Sequence, residues 1–431
     1  MTITVAAPGL APYDDLEQDL QVPADGDSEP VRFGFRADRI GLHTVTVRAF
    51  AGGTFLGELA AQISVEVGAA LEEGPTHRAA MATLASELGE VTMQVSLTDD
   101  NRYSFQLIGE RFFPVEYSRR LAGDPTEVLE SLVSELRAMA AGTSEYTSPS
   151  LIRNRFKNLG AQLWADAVPE AIRTQFWDQH ERIRSFTVAS DMDTLPWELL
   201  YPVDGDNENG FLVEQFPVVR RVYGQGRVLR LPLTSAAYIV PAGSPRNADD
   251  EVQAVRRRLG EGVSERGVVQ RLEDLNALLL DPPSVLHFAS HNQFTDTGGS
   301  VLGMEGGPFR PSDLTVAVQK QGLSAASPLV FFNACRTAGE IPGLAHMMGW
   351  AKQFMGAGAG AFLGTLWAVR SSSAKVFADA FYQAFVTQRL PLGPASVQAR
   401  RAISADDSDP TWLAYSIYGN PSATISVQEP S

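Results

Sequence analysis

A single cysteine, Cys335, stands in a chain of 431 residues, which excludes an internal disulfide and any zinc site built from several thiolates. Basic residues are in deficit, with 35 Lys and Arg against 51 Asp and Glu and a net charge of -16. Such a surface repels phosphate backbones and anionic bilayers, so neither direct nucleic-acid binding nor a membrane is expected. No apolar run reaches the roughly 18 residues of a membrane span, and the opening segment MTITVAAPGL lacks the charged and long apolar stretches of a secretory leader. A cytoplasmic location is the expectation. What remains is ordinary for a folded chain, 44% hydrophobic and 20% charged, outside the disordered and fibrous classes. At roughly 150 residues per domain, about three units are expected.

The first of these, residues 1–70, reads as a small sandwich-like β module. Residues 31–36, 41–50 and 55–67 alternate apolar and polar side chains, with a Gly52-Gly53 turn between the last two. Residues 68–75 (GAALEEGP) are small, acidic and turn-forming, as expected of a linker. From about residue 88, strands at 91–97, 103–107 and 185–189 alternate with helical patterns at 125–140, 152–164 and 170–177. After residue 232 the alternation resumes: strands at 236–241, 284–289, 328–332 and 361–369, helices at 249–259, 343–355 and 374–386. This order predicts layered α/β units, 88–225 and 232–425, on a mostly parallel sheet flanked by helices.

In such sheets reactive groups gather beyond the carboxyl ends of the strands. Two strands here end in capable residues: VLHFA runs into Ser290-His291-Asn292, and LVFF into Asn333-Ala334-Cys335-Arg336. A His beside a thiol lets a nucleophilic thiolate form. A lone Cys after an apolar strand is also a common small core residue, and His287 with His291 has no third ligand nearby other than Asp296, which makes a metal pair a poor reading. The glycines of GAGAGAF (356–362) precede a strand pattern rather than a helix and lack a Lys-Ser or Lys-Thr pair, so tight packing, not phosphate binding, is expected of them. Trp197 and Glu198 read as a buried anchor and a buried or capping carboxylate.

The segments VLHFASHN and LVFFNACRTAG resemble the two catalytic segments of CHAT domains, caspase-like cysteine peptidase domains. LPWELLYP (195–202), GAGAFLGTLWAV (358–369), FADAFYQAF (377–385) and WLAYSIYGNP (412–421) are similar to further CHAT signatures in the same order. The resemblance implies a caspase-like three-layer α/β/α fold, with 88–225 as a pseudo-caspase half and 232–425 as the active half. It implies His291 as general base and Cys335 as nucleophile of a cysteine endopeptidase, with His287 structural and no cofactor. The oxyanion hole would use the backbone N–H groups of Asn292, where the family usually has Gly, and of Cys335. Asn333, at a position that is acidic in relatives preferring basic residues before the cut, is the expected substrate-binding residue for a neutral one. A protein substrate, a protein activator or sensor that relieves latency, and a place in bacterial defence follow from the same resemblance. A non-catalytic caspase-like scaffold is the alternative.

Overall fold

The computed structural model describes residues 1–68, 87–97, 103–111, 114–117, 148–190, 195–294, 300–336, 345–367, 369–404 and 408–426, with isolated positions between 134 and 146; residues 292–294, 334–336 and 345–348 are described by their backbone. The linker expected at 68–75 lies outside these beyond Gly68, as does most of the helix expected at 125–140.

Strands β1 (Thr2–Ala6), β2 (Glu17–Asp19), β3 (Gly41–Ala51) and β4 (Thr54–Val65) form an antiparallel sheet in the order β2-β1-β3-β4. The long β3–β4 hairpin matches the two alternating segments read there. Residues 31–36 differ from expectation: only Phe35–Ala37 forms a strand, paired with Leu10–Pro12, while Val31 and Phe33 pack on the module's core without strand pairing.

The β3–β4 turn is docked on the second, larger sheet. A Cβ on Gly53 would lie 2.0 Å from the Glu90 carbonyl oxygen, so any other residue would have to push the two backbones apart. Thr92 Oγ1 donates to the Gly53 carbonyl at 2.6 Å, and Thr54 Oγ1 donates to Glu90 Oε2 at 2.8 Å. Arg48 lies 3.6 Å from the Tyr223 ring centroid, a favourable cation–π distance.

Glu17 joins the same junction by accepting from Gln106 Nε2. Burial pushes its carboxyl from 4.5 up to about 7, against the lowering effect of that hydrogen bond. The folded protein therefore holds this proton more tightly than the unfolded chain, and the contribution to stability present below about pH 4.5 is lost as pH rises through about 7. Thermal unfolding followed across this range is expected to show the decline, and Glu17→Gln is expected to remove that component. An unchanged profile in the variant would assign the decline elsewhere.

The larger sheet is built from β5 (Glu90–Leu97), β6 (Tyr103–Ile108), β7 (Glu116–Tyr117), β8 (Ser185–Ser190), β9 (Val218–Arg221), β10 (Ser235–Ile239), β11 (Ser264–Val269), β12 (Val285–Phe294), β13 (Ser300–Met304), β14 (Gly307–Phe309), β15 (Leu329–Arg336), β16 (Ala361–Thr365) and β17 (Tyr415–Tyr418). Its order is β11-β10-β12-β15-β16-β17-β9-β8-β5-β6-β7, with β13 on β12 and β14 on β13. Strands β11, β10, β12, β15 and β16 are parallel in one direction, and β17, β9, β8 and β5 are parallel in the other. The reversal falls at the antiparallel pair β16–β17.

Two helical layers cover this sheet. Helices α1 (Pro149–Ala167), α2 (Glu170–Gln179) and α3 (Ala248–Leu259), with α6 (Ser371–Tyr382) and α7 (Leu392–Ile403), share one core. On the opposite face lie α4 (Leu272–Leu280) and α5 (Ala345–Gly356). Alternation divides β15 between the two: Leu329 and Phe331 join the first core, Val330 and Phe332 the second. A strand buried on both faces must read as a continuous apolar run, as VLHFA and LVFF do.

The expected glycine packing is seen at two positions. A Cβ on Gly358 would lie 2.1 Å from Ser324 Oγ, and one on Gly360 would lie 2.3 Å from Leu231 Cδ2. Among the described residues, no helix is long and apolar enough to cross a membrane.

Candidate active site

Strands β12 and β15 are parallel neighbours near the middle of the sheet, and their register pairs His291 with Cys335 and Asn292 with Arg336. Neighbouring strands lie about 4.8 Å apart, so the backbone sets the two predicted dyad residues side by side. Their flanking strands stop earlier: the pairing of β10 with β12 ends at Ile239–Phe288, and that of β15 with β16 ends at Phe332–Gly364. Residues 289–292 and 333–336 therefore project together beyond the carboxyl end of the sheet body. His291 is partly exposed there.

The strand carrying His291 is longer than its sequence pattern predicts. It continues to Phe294 because residues 292–294 pair antiparallel with 300–302 of β13. Asn292 thus has register partners on both sides, Arg336 and Leu302. In such a position a backbone N–H is ordinarily spent in the ladder.

Beneath the dyad lies a buried polar network. His287 is 0% exposed; its Nε2 is 2.9 Å from Glu251 Oε1, and its Nδ1 is 3.2 Å from the Tyr382 hydroxyl. Glu251 Oε1 also accepts from Asn333 Nδ2 at 2.8 Å, and Asn333 Oδ1 accepts from the Tyr415 hydroxyl at 2.9 Å. Burial raises the Tyr382 phenol well above its ordinary value, which keeps it a donor. The consistent assignment has His287 donating from Nε2 to the carboxylate and accepting at Nδ1 from the phenol. One carboxylate on α3 therefore holds both dyad strands, through His287 on β12 and Asn333 on β15.

These distances bear on two of the sequence expectations. His287 is structural in position, its ring packed 5.1 Å from that of Phe331. Asn333 is 2% exposed and spends both its amide oxygen and nitrogen on protein partners. Among the described residues no group of His, Cys, Asp and Glu could hold a metal ion.

Glu251 escaped the sequence reading because it sits in the acidic first turn of α3, where Asp249, Asp250 and Glu251 look like ordinary helix-dipole complements. The available signal was its helical phase: it is one turn before Val255 on the buried stripe of Val252, Val255 and Leu259. Glu198, read as a buried or capping carboxylate, is fully buried and bound by Arg220 Nε at 3.0 Å and Ser416 Oγ at 2.7 Å. Burial alone would raise its pKa, but Arg220, hydrogen bonds and Arg400 hold it below the ordinary value. This pair ties the 195–202 loop to β9 and β17, which stand three and two places from β15 in the sheet order.

The CHAT-domain family model matches residues 157–420. No curated protein matches. Among solved structures, separase of Saccharomyces cerevisiae in its complex with securin is 11% identical, with a TM-score of 0.48, and the match covers 79% of this chain and 30% of that one. This chain thus spans less than a third of the separase chain. The Arg-specific cysteine proteinase gingipain R is 10% identical with a TM-score of 0.40, over 71% of this chain and 76% of that one. The complex of Porphyromonas gingivalis RgpB pro- and mature domains is 12% identical with a TM-score of 0.41, over 69% and 77%.

Proposed function

The chain belongs to the CHAT-domain family, and from that premise we propose that it is a cysteine endopeptidase in which Cys335 is the nucleophile and His291 the general base. The observation that carries this reading is the register of β12 and β15, which sets His291 opposite Cys335 on two strands that project beyond the sheet. In the reaction, His291 takes the thiol proton as Sγ attacks the scissile carbonyl. It returns that proton to the leaving amine, and water then hydrolyses the thioester to free the enzyme. The Cys335 backbone N–H, with that of Asn292, would hold the oxyanion. On this reading residues 232–425 form the active half, 88–225 the buttressing half and 1–70 an accessory β module.

The test is the rate of alkylation of Cys335 by an iodoacetamide-type electrophile, mapped by mass spectrometry. With one cysteine the site is unambiguous. A rate well above that of a free thiol, falling in His291→Ala, supports the peptidase. A rate equal to that of a buried, inert thiol in the wild type would make the protein a scaffold with a caspase-like fold.

The position of Asn292 supports latency as part of the same proposal. Paired on both sides, Asn292 would present its N–H to an oxyanion once the pairing loosens there, and a partner protein that opens the β12–β13 hairpin would switch the site on by favouring the open population. The exposed end of the β3–β4 hairpin, with Leu42 and Ile63 open to solvent, is the proposed docking edge. A cytoplasmic role in bacterial defence fits a protease held silent in this way. Comparing turnover and hydrogen exchange with and without candidate partners decides the point: an activating partner is expected to raise turnover and exchange at 290–304 together. Full activity of the lone protein, unaltered by any partner, excludes latency.

A further inference from the structure

A cavity of about 210 Å³ opens at the other end of the sheet, lined in part by Arg221, Gln225, Ser324, Gly358 and Asn420. Gly358 precedes β16, whereas Arg221 is the last residue of β9 and Asn420 lies two residues beyond β17. Because the strand direction reverses between β16 and β17, this end is where the carboxyl termini of the second parallel block emerge. In open α/β sheets ligands gather outside the carboxyl ends of the strands, which at this end are those of β17 and β9.

The polar lining is one-sided. Arg221 is 6% exposed and Asn420 2%. Arg221 Nε and Nη2, Asn420 Nδ2 and Gln225 Nε2 are buried with no hydrogen-bond partner among the described residues. All four are donor atoms, and no lining side chain has an orphaned acceptor. Buried donors left unmatched are costly, and such groups call for an explanation. The Arg221 guanidinium lies over Phe55, 4.7 Å from its ring centroid, and has no ion-pair partner within salt-bridge distance among the described residues. Burial pulls its pKa down, while Glu90 acts to raise it. The Glu90 carboxylate is already engaged by Thr54 and Thr187, at 2.8 and 3.0 Å.

We propose that this cavity is a second, non-catalytic binding site for a small molecule bearing an oxyanion, a carboxylate or a phosphate, received by Arg221, Gln225 and Asn420. Its volume corresponds to about seven water molecules, which suits a small metabolite and not a segment of a protein. A charged acceptor with several lone pairs matches a guanidinium edge and two amide N–H groups at once. The site stands whether or not Cys335 is a nucleophile.

Titration calorimetry on the full chain tests it with inorganic phosphate, malonate and the neutral isostere malonamide, at matched ionic strength. Saturable binding of phosphate alone marks a phosphate site, and of malonate alone a carboxylate site; either is the expected result, with malonamide not binding. Asn420→Asp keeps the oxygen that accepts from Ser422 N at 2.9 Å and exchanges the donor for a negative acceptor, so the fold is retained. Asn420→Asp and Gln225→Glu are each expected to weaken binding at least tenfold with unchanged circular dichroism. Absence of saturable binding of both anions, equal binding of malonamide, or affinity unchanged in both variants would overturn the proposal.

Discussion

Cys335→Ala is expected to bring peptide cleavage by the activated protein to background, and His291→Ala to lower it by about 100- to 10,000-fold, with thermal unfolding little changed in either. The two residues are register partners at the projecting end of β12 and β15, beyond the last pairing with β10 and β16. Neither substitution removes a rung from the buried part of the sheet. Residues that act as one unit are strongly non-additive, so the double variant is expected to be no worse than Cys335→Ala alone. A proteome-derived peptide pool, read by mass spectrometry of new N-termini, supplies the measurement without knowledge of the natural substrate. Undiminished cleavage by Cys335→Ala would place the chemistry elsewhere or in a contaminant.

The residues that made this site legible share one property: they are the last members of apolar strands. VLHFA and LVFF are fully buried runs, and whatever follows them falls at the carboxyl edge of a parallel sheet. Their pairing register was not legible, because nothing in one strand's side chains fixes which residue of the next lies opposite. The extension of β12 to Phe294 was missed for a related reason. It depends on residues 300–302 returning antiparallel, a non-local pairing that alternation within 284–289 does not contain. Strand β17 was hidden too: Tyr415–Tyr418 is four residues long and fully buried, too short and too evenly apolar to display a period. It nevertheless sits where the two parallel blocks meet. The reading at 31–36 shows the opposite error, in which a local pattern was credited with more than it carries: only Phe35–Ala37 is a paired strand there.

Glu251→Ala is expected to be the most damaging single change outside the dyad. The substitution would leave His287 Nε2 and Asn333 Nδ2 without their shared acceptor in a site where His287 is fully buried. Each unmatched group costs about 1–3 kcal/mol, so the loss of stability for the two is expected at about 2–6 kcal/mol, by chemical denaturation. Glu251→Gln has the same shape and retains one carbonyl oxygen, which can stand in for the Oε1 that both donors share, but as a weaker, neutral acceptor; a smaller loss is expected. Stability alone would not separate a packing role from a positioning one. The alkylation rate of Cys335 does, because Glu251 is bound to His287, four residues before His291, and to Asn333, two before Cys335. If the carboxylate holds β12 and β15 in register, Glu251→Gln lowers that rate while the protein remains folded, and Asn333→Asp, which turns a donor toward Glu251 into a second carboxylate, lowers it further by like-charge repulsion. A folded Glu251→Gln protein whose Cys335 reacts as fast as the wild type would show that the strands keep their register by backbone pairing alone.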